Sequence, residues 1–175
     1  RLAPEQTTHF WLSDSPDVPG SQGWDAALPR ITTQVRFIDT RTRKPFLYFN
    51  THFDHKGVNA RLESAKLLAQ RAEGVPAGLP VLVTGDFNAQ AEDSAPYSAL
   101  TAGALRDAWT IAKSRVGTPN TWNGFTAPKP ENARRIDWVL VREGVQVNEC
   151  IILDKTIDGR YPSDHFPVLA VVTLP

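Results

Sequence analysis

The sequence predicts a layered α/β domain. Its 175 residues are a normal length for a single domain. Segments with the apolar pattern of strands are interleaved with segments whose apolar residues recur at helical spacing, and this mixture is typical of sheets covered by helices. Hydrophobic residues make up 41% of the chain, which is enough to build a sizeable core.

The first elements predicted are a loop and two strands. Residues Ser13 to Gly23 are rich in Pro, Gly, Ser and Asp, which favour turns. Strand-like runs follow at Ile31–Asp39 and Pro45–His52. The polar residues between these runs form a connection of hairpin length, so the two strands are expected to pair.

A helix is predicted next, from Val58 to Glu73. Apolar residues recur there every three or four positions, and Gly74 and Pro76 end the pattern. The later elements are a strand at Pro80–Thr84, a helix from Ser94 to Ala102 with Ser94 as its cap, a short helix at Leu105–Lys113, and strands at Ile136–Val141, Val147–Leu153 and Pro167–Leu174.

Charge and cysteine content exclude several classes of protein. The 19 basic side chains equal the 19 acidic ones, which disfavours a pure nucleic-acid binder but leaves a metal-dependent nuclease open. The single cysteine, Cys150, rules out an internal disulfide or a Cys-rich zinc site, and its apolar neighbours predict a core position. No apolar run approaches the ~18 residues of a membrane span, so no stable membrane insertion is expected.

The chain begins at Arg1 and contains no methionine. We therefore expect a processed or truncated piece, from which any signal peptide has been lost with the missing start. A soluble bacterial protein, cytoplasmic or secreted, fits the composition, and the compartment stays unknown.

Polar side chains stand where two predicted strands end. Asn50 and His52 share one face of their strand, and Asp86 and Asn88 share a face if the following strand persists to them. Ligands bind at such carboxyl ends in sheets covered by helices. A carboxylate beside an amide suits a phosphate and its attacking water, because the carboxylate orients the water while the amide donates to a phosphoryl oxygen.

Two further clusters complete the pattern. Asp137 stands alone in an apolar strand and needs a cation or a hydrogen-bond donor. Asp164 and His165 precede the last strand, where one can face a metal or water and the other a phosphate. Each cluster alone also fits an ordinary turn, a structural histidine or an ion pair with arginine. Their occurrence together, each at a strand end, favours a functional site.

The four clusters resemble the signature blocks of the endonuclease/exonuclease/phosphatase superfamily, the group of DNase I-like metal-dependent phosphoesterases. The resemblance covers about Trp24 to Leu174 and implies a four-layer α/β/β/α sandwich. The matching blocks are Asn50-Thr51-His52-Phe53-Asp54-His55, Gly85-Asp86-Phe87-Asn88, Arg135-Ile136-Asp137-Trp138 and Ser163-Asp164-His165-Phe166-Pro167-Val168.

The resemblance implies hydrolysis of phosphate esters and a role for each matching residue. His52 and Asn88 would hold the phosphate, Asp86 would orient or activate water, and Asp137 would fix the tautomer of His165, which contacts the phosphate. One Mg²⁺ or Mn²⁺ is expected, since hard cations prefer oxygen ligands. The implied metal ligands are Asp164, Asp86 and Asn88.

Weaker substrate-binding candidates are Asn50, Arg61, Trp24 and Arg30. Arg61 fits a solvated helix face as well, and Trp24 and Arg30 fit packing and a loop salt bridge as well. The loop around Trp122 and Phe125 varies the substrate in the family. Nucleic acid, a phospholipid headgroup and a sugar phosphate all remain open as substrates.

One departure concerns the first part of the family domain. An opening strand ending in Asn, and the metal-binding Glu after it, have no counterpart here. Residues 1–175 are therefore expected to be the C-terminal two-thirds of a single domain, inactive or impaired alone and paired with the missing part or with another chain. The alternatives are a non-catalytic interaction module that retains the fold, and a zinc hydrolase, for which His52 and His55 are the only close histidine pair.

Overall fold

The computed structural model describes residues 1–175 as nine strands and three α-helices. The strands are β1 (Leu2–Trp11), β2 (Ile31–Asp39), β3 (Pro45–His52), β4 (Val81–Asp86), β5 (Leu105–Asp107), β6 (Ser114–Val116), β7 (Asp137–Arg142), β8 (Gln146–Ile152) and β9 (Val168–Thr173). The helices are α1 (Val58–Glu73), α2 (Ala95–Thr101) and α3 (Ala108–Ile111), with one 3-10 turn at Pro130–Asn132. None of these helices has the length and apolar character to cross a lipid bilayer.

Six strands form a large sheet in the order β1-β2-β3-β4-β7-β5. Strands β3 and β4 are parallel, while all other neighbours in this sheet are antiparallel. A parallel pair requires a crossover connection, which α1 supplies between β3 and β4. The other three strands form a small sheet in the order β6-β8-β9.

Helix α1 begins at an unusual cap, provided by the loop before β2. Its N-cap residue is Gly57, which has no side chain to accept a hydrogen bond. The Asp25 carboxylate accepts instead, with Oδ1 2.6 Å from Ala60 N and Oδ2 3.2 Å from Asn59 N. These bonds, that from Ala60 foremost, lower the pKa of Asp25. The cap therefore fastens this loop to the start of α1.

One face of the large sheet packs against α1 and α2. Leu68 of α1 is fully buried there. At the centre, the rings of Phe87 and Trp138 stack with centroids 4.3 Å apart, and Tyr97 of α2 meets Trp138 edge-on at 5.1 Å. This aromatic cluster lies directly beneath the carboxyl end of β4.

The opposite face of the large sheet packs against the small sheet. Val141 of β7 shares this second core with Cys150 and Ile152 of β8. Cys150 is a core residue, as predicted, and burial raises the pKa of its thiol to about 11. On the outer face of β9, Leu169 and Val171 remain 49% and 44% exposed. The layers formed by this chain are thus helices, large sheet and small sheet.

Most of the predicted elements are confirmed. Strands β2 and β3 and helix α1 have the predicted bounds, and the Ser94 side chain caps α2 by accepting from Tyr97 N. The predicted helix at Leu105–Lys113 is wrong in its first part, which pairs with β7 as β5. Asp107 then starts the short α3 by accepting from Trp109 N at 2.9 Å. Strands β1 and β6 were not predicted.

Candidate active site

Three neighbouring strands place three polar side chains in one row. The pairing registers align His52 of β3 with Asp86 of β4, and Asp86 with Asp137 of β7. Residues opposite one another on adjacent strands point to the same face of a sheet. The three side chains therefore project together from the face that packs against the small sheet.

Asp86 is the centre of this row. Its Oδ2 lies 3.2 Å from His52 Nε2 and 3.9 Å from His165 Nε2, and its Oδ1 accepts a hydrogen bond from Asn88 N at 2.9 Å. Burial alone would raise the pKa of Asp86, but the bonds from His52 and Asn88 and the charge of both histidines hold it below its usual value. Asp86 is therefore ionised at neutral pH.

His165 pairs with Asp137. Its Nδ1 lies 2.8 Å from Asp137 Oδ2, which leaves Nε2 directed toward Asp86. Burial lowers the pKa of His165, but the bond to Asp137 and the surrounding carboxylates raise it overall. Burial, with a contribution from the charge of Asp86, also raises the pKa of Asp137. Both shifts favour the protonated form of the group concerned, and in this pair Nδ1–H of His165 donates to Oδ2 of Asp137.

Thr121, which was not predicted as a site residue, holds the two members of this pair in place. Its fully buried hydroxyl accepts hydrogen bonds from Ile136 N at 2.9 Å and Asp137 N at 3.0 Å. Its carbonyl accepts from Phe166 N at 2.8 Å, next to His165. A threonine before the Trp122 loop carries no sequence signal for such a role, because the bonds involve backbone groups of distant segments.

Asn88 departs from the predicted geometry. Strand β4 ends at Asp86, and Asn88 adopts a left-handed conformation with φ 48°. Its Nδ2 donates to Phe53 O at 3.0 Å, so the side chain bridges to the loop after β3 instead of continuing the face of β4. The strand does not persist to Asn88, so the condition for Asp86 and Asn88 to share a strand face is not met, although the two residues are bonded to each other.

The row opens into a cleft of about 550 Å³ between the two sheets. Asn50 lies on its wall, two residues before His52, and its Nδ2 donates to Thr84 Oγ1 at 2.9 Å. Tyr48 bonds the same hydroxyl at 2.6 Å. The polar side chains lining the cleft are Tyr48, Asn50, Thr51, His52, Thr84, Asp86, Asp137, Ser163 and His165.

The carboxylates of this centre are oxygen ligands of the kind that a divalent cation prefers. Ligand atoms of Asp86, Asp137 and His165 all lie within 4.8 Å of one another. Asp137 already bonds His165, so Asp86 is the carboxylate most available to a hard cation. Asp164 lies outside that group, and its Oδ1 is 3.4 Å from Ser163 Oγ.

Two of the other predicted substrate residues, Arg30 and Arg61, contact Asp54 instead of the row. Arg30 lies with its Nε 3.8 Å from Asp54 Oδ2 and a terminal nitrogen 3.2 Å from His55 Nδ1. Arg61 donates to the Asp54 carbonyl oxygen at 3.0 Å. Trp24 is half-buried in the preceding loop with φ 53°. None of these three side chains lines the cleft that contains the row.

Asp54 itself organises the loop after β3. Its carboxylate accepts from Gly57 N at 2.7 Å, Lys56 N at 2.9 Å and Leu28 N at 3.1 Å. Burial raises its pKa, but these amide bonds outweigh burial and lower the pKa far below the usual value. The loop that they order includes Phe53, the hydrogen-bond acceptor for Asn88.

Known proteins share this fold. A sequence profile of the endonuclease/exonuclease/phosphatase family matches residues 8–165. A mannosyl-6-phosphatase of Bacteroides thetaiotaomicron is 34% identical with a TM-score of 0.88, and the alignment covers 99% of this chain and 67% of that protein. No match was found among the curated proteins.

Two further solved structures resemble this chain, one at higher and one at lower sequence identity. A family protein of Bacteroides vulgatus is 34% identical with a TM-score of 0.92, over 100% of this chain and 67% of that one. The human Nocturnin catalytic domain, at 17% identity and a TM-score of 0.74 over 100% of this chain and 61% of that one, shares the fold. This chain thus spans about two thirds of the length of its 34%-identical relatives. With the profile match and the DNase I-like fold, the chain belongs to the endonuclease/exonuclease/phosphatase family.

Proposed function

We propose that this chain carries a centre for the metal-dependent hydrolysis of phosphate esters. The observation that supports it best is the row of His52, Asp86 and Asp137, closed by His165 at 2.8 Å from Asp137. Two imidazoles and an ionised carboxylate within a few ångströms can bind a phosphoryl group and activate a water molecule at the same time. A Mg²⁺ or Mn²⁺ ion held by Asp86, with Asn88 and Asp164 as further candidate ligands, would polarise the phosphoryl group.

The proposed roles follow from position. Asp86 is ionised and central, so it accepts a hydrogen bond from the attacking water and orients its lone pair. His52, whose side chain is 53% exposed, and His165, through Nε2, donate to phosphoryl oxygens. The water oxygen forms a new bond to phosphorus, the bond to the alcohol oxygen breaks, and the alcohol leaves with a proton.

Asn88 and Asp137 have supporting roles in this proposal. Asn88 retains one N–H after donating to Phe53, and it directs this group at the phosphate without adding negative charge. Asp137 fixes the tautomer of His165, because its carboxylate accepts a hydrogen bond from Nδ1–H. Asn50 stays a candidate for substrate contact at the cleft wall, whereas Arg30 and Arg61 would act outside the cleft.

We propose a sugar phosphate as the substrate class. The relative with the mannosyl-6-phosphatase name supports a phosphate monoester of a sugar. Zero net charge gives little support to long nucleic acids, which need several phosphate contacts from Lys and Arg.

We also propose that residues 1–175 belong to one domain, because side chains of β7 pack into the cores on both faces of the large sheet.

The decisive experiment compares p-nitrophenyl phosphate with bis-p-nitrophenyl phosphate, with and without millimolar Mg²⁺ or Mn²⁺. We expect metal-dependent turnover of the monoester, impaired in residues 1–175 alone, and its loss on Asp86→Asn or His165→Gln. The matched control is Asp158→Asn, an exposed aspartate with φ 50°, a conformation that asparagine tolerates. Preference for the diester would instead favour a phosphodiesterase.

Absence of turnover would contradict this proposal. A folded chain that turned over neither compound at any metal concentration would contradict catalysis by these residues alone. Calorimetry with Mn²⁺ would then show whether the centre binds an ion, since a non-catalytic module has no chemical need to retain one.

A further inference from the structure

A second cavity lies on the helix side of the large sheet. Its volume is about 570 Å³, and it lies between the start of α1 and the β4–α2 connection. That size is within the range of small-molecule sites. The polar side chains that line it include Asp25, Asn59, Arg61, Asn88, Gln90 and Arg134.

The walls of this cavity adjoin the candidate active site on two sides. Asn88 lines the cavity, and its backbone N–H is bonded to Asp86 at 2.9 Å. Arg134 lines it from the other side, with its guanidinium 5.7 Å from the ring centre of Trp122. Trp122 in turn forms a backbone bridge with His165. The cavity therefore adjoins the row at Asn88, just past the carboxyl end of β4, although the side chains of the row project from the other face of the large sheet.

The cavity offers hydrogen-bond donors and acceptors that are still available. Arg61 uses one nitrogen on the Asp54 carbonyl, and the other N–H groups of its guanidinium have no partner in the fold. Gln90 uses its oxygen on Arg135 N and keeps its NH₂ free. Asn59 is exposed at the mouth, with both ends of its amide available. Asp25 brings carboxylate oxygens that already hold the start of α1.

These groups match a hydroxyl-rich ligand better than a nucleobase. Each hydroxyl of a sugar both donates and accepts, as a mixture of amides, guanidiniums and a carboxylate requires. No aromatic side chain lines the cavity, so it has no surface on which a base would stack. Its volume leaves room for a hexose with bound water.

We propose that this cavity binds the sugar of a sugar phosphate while the phosphoryl group occupies the row of His52, Asp86 and Asp137. The inference rests on the proposed function and adds to it the residues that recognise the alcohol side of the ester. Arg61, predicted from the sequence as a substrate contact, acts here, away from the cleft between the sheets.

Binding is tested first, without metal and without turnover. The chain, labelled with ¹⁵N, is titrated with mannose 6-phosphate, phenyl phosphate and inorganic phosphate, and its NMR spectrum is followed. We expect all three to shift the His52 and His165 ring signals, and mannose 6-phosphate alone to shift the side-chain amides of Asn59 and Gln90. Shifts of the rings without shifts of these amides would overturn the sugar site.

Specificity is tested with an arginine pair. Arg134→Gln is expected to lower the affinity for mannose 6-phosphate about 10-fold relative to that for phenyl phosphate, as loss of one charged hydrogen bond predicts. Arg41→Gln is the control, because Arg41 is exposed in the β2–β3 turn at the far end of the sheet. An equal loss for both ligands would refute sugar recognition by Arg134.

The two proposals fail in different ways. Amide shifts with mannose 6-phosphate in a chain that never turns over an ester would leave the sugar site standing and contradict the hydrolase. Turnover of p-nitrophenyl phosphate with no amide shift would support the proposed hydrolase and refute the proposed sugar site.

Discussion

The Nδ1 nitrogen of His165 lies 2.8 Å from the Oδ2 oxygen of Asp137, although 28 residues separate them in the chain. The bond joins the loop before β9 to the first residue of β7, and so links the small sheet to the large one. The proposed chemistry depends on it, because only this contact orients the His165 ring with Nε2 toward Asp86.

Asp137→Asn is predicted to lower kcat for p-nitrophenyl phosphate by about 100-fold, in the range of a positioned acid or base. The bond to Asp137 and its charge raise the pKa of His165, so the substitution should also lower that pKa toward 6.5. The imidazole would then lose its proton at a lower pH than in the wild type. NMR titration of the His165 ring measures the change, and an unchanged pKa would contradict the pairing.

Thr121→Val is predicted to destabilise the fold by about 2 kcal/mol, because two buried N–H groups lose their acceptor. Thr121→Ser keeps the hydroxyl and should lose less than half as much. Urea unfolding followed by tryptophan fluorescence gives both values. A smaller loss for Val, which keeps the methyl group, than for Ser would show that the methyl group, not the hydroxyl, is the important contact.

Asp54→Asn is predicted to cost about 2 kcal/mol at pH 7, since the carboxylate accepts several backbone amide bonds. The folded-state pKa of Asp54 is lowered, whereas the unfolded value is about 3.9. Its contribution to stability is therefore present above about pH 4 and is lost as the pH falls further toward the folded pKa.

Unfolding experiments from pH 7 down to pH 3 test this predicted loss of stability in acid. The difference in the free energy of unfolding between wild type and Asp54→Asn should shrink in acid. Asp93→Asn, at an exposed position, is the control and should show no such trend. A difference that grew with acidity would refute the assignment.

Arg135→Met is predicted to cost about 3–5 kcal/mol, as is usual when one partner of a buried ion pair is removed. The Arg135 side chain is 3% exposed and lies 2.7 Å from Asp107, whose side chain is 1% exposed. Asp107 also accepts from the hydroxyl of Tyr97 at 3.0 Å. Lys66→Met, in an exposed pair with Glu63, should cost less than about 1 kcal/mol.

A double-mutant cycle identifies the origin of that loss. If the unpaired charge of Asp107 is responsible, Asp107→Asn in the Arg135→Met background should restore part of the stability. Additive losses from the two substitutions would mean that the pair makes no net contribution.

The sequence predicts the helices and strands in which buried and exposed residues recur at a regular spacing. It does not predict the strands that are held only by hydrogen bonds to a neighbouring strand. Helix α1 has its predicted ends because its buried stripe and Gly74 are both readable in the sequence. Strand β1, Leu2–Trp11, has no such stripe, since most of its residues are exposed on both faces and it is held by its ladder with β2. Leu105 to Asp107 were predicted as helix because a three-residue strand is too short to show a period.

The same limit applies to the site. His52, Asp86, Asp137 and His165 could be predicted because each stands out in its own apolar segment, and the structure brings all four together. Thr121 and Asp54 could not, because their contacts are with backbone amides of segments remote in sequence. Asn88 was predicted to share a face with Asp86 only if the strand reached it, and β4 ends at Asp86, where a left-handed turn bonded to Phe53 and Asp86 begins.

The shared row across β3, β4 and β7 has a consequence for preparing the protein. A slip of one residue in either strand pairing turns the side chains of that strand to the opposite face of the sheet. His52 or Asp137 would then point at α1 and α2, in a molecule whose secondary-structure content is nearly unchanged. The specific activity of a refolded sample would therefore report whether these strands are paired in the correct register. Circular dichroism would not detect such a misalignment, because the secondary-structure content is nearly the same.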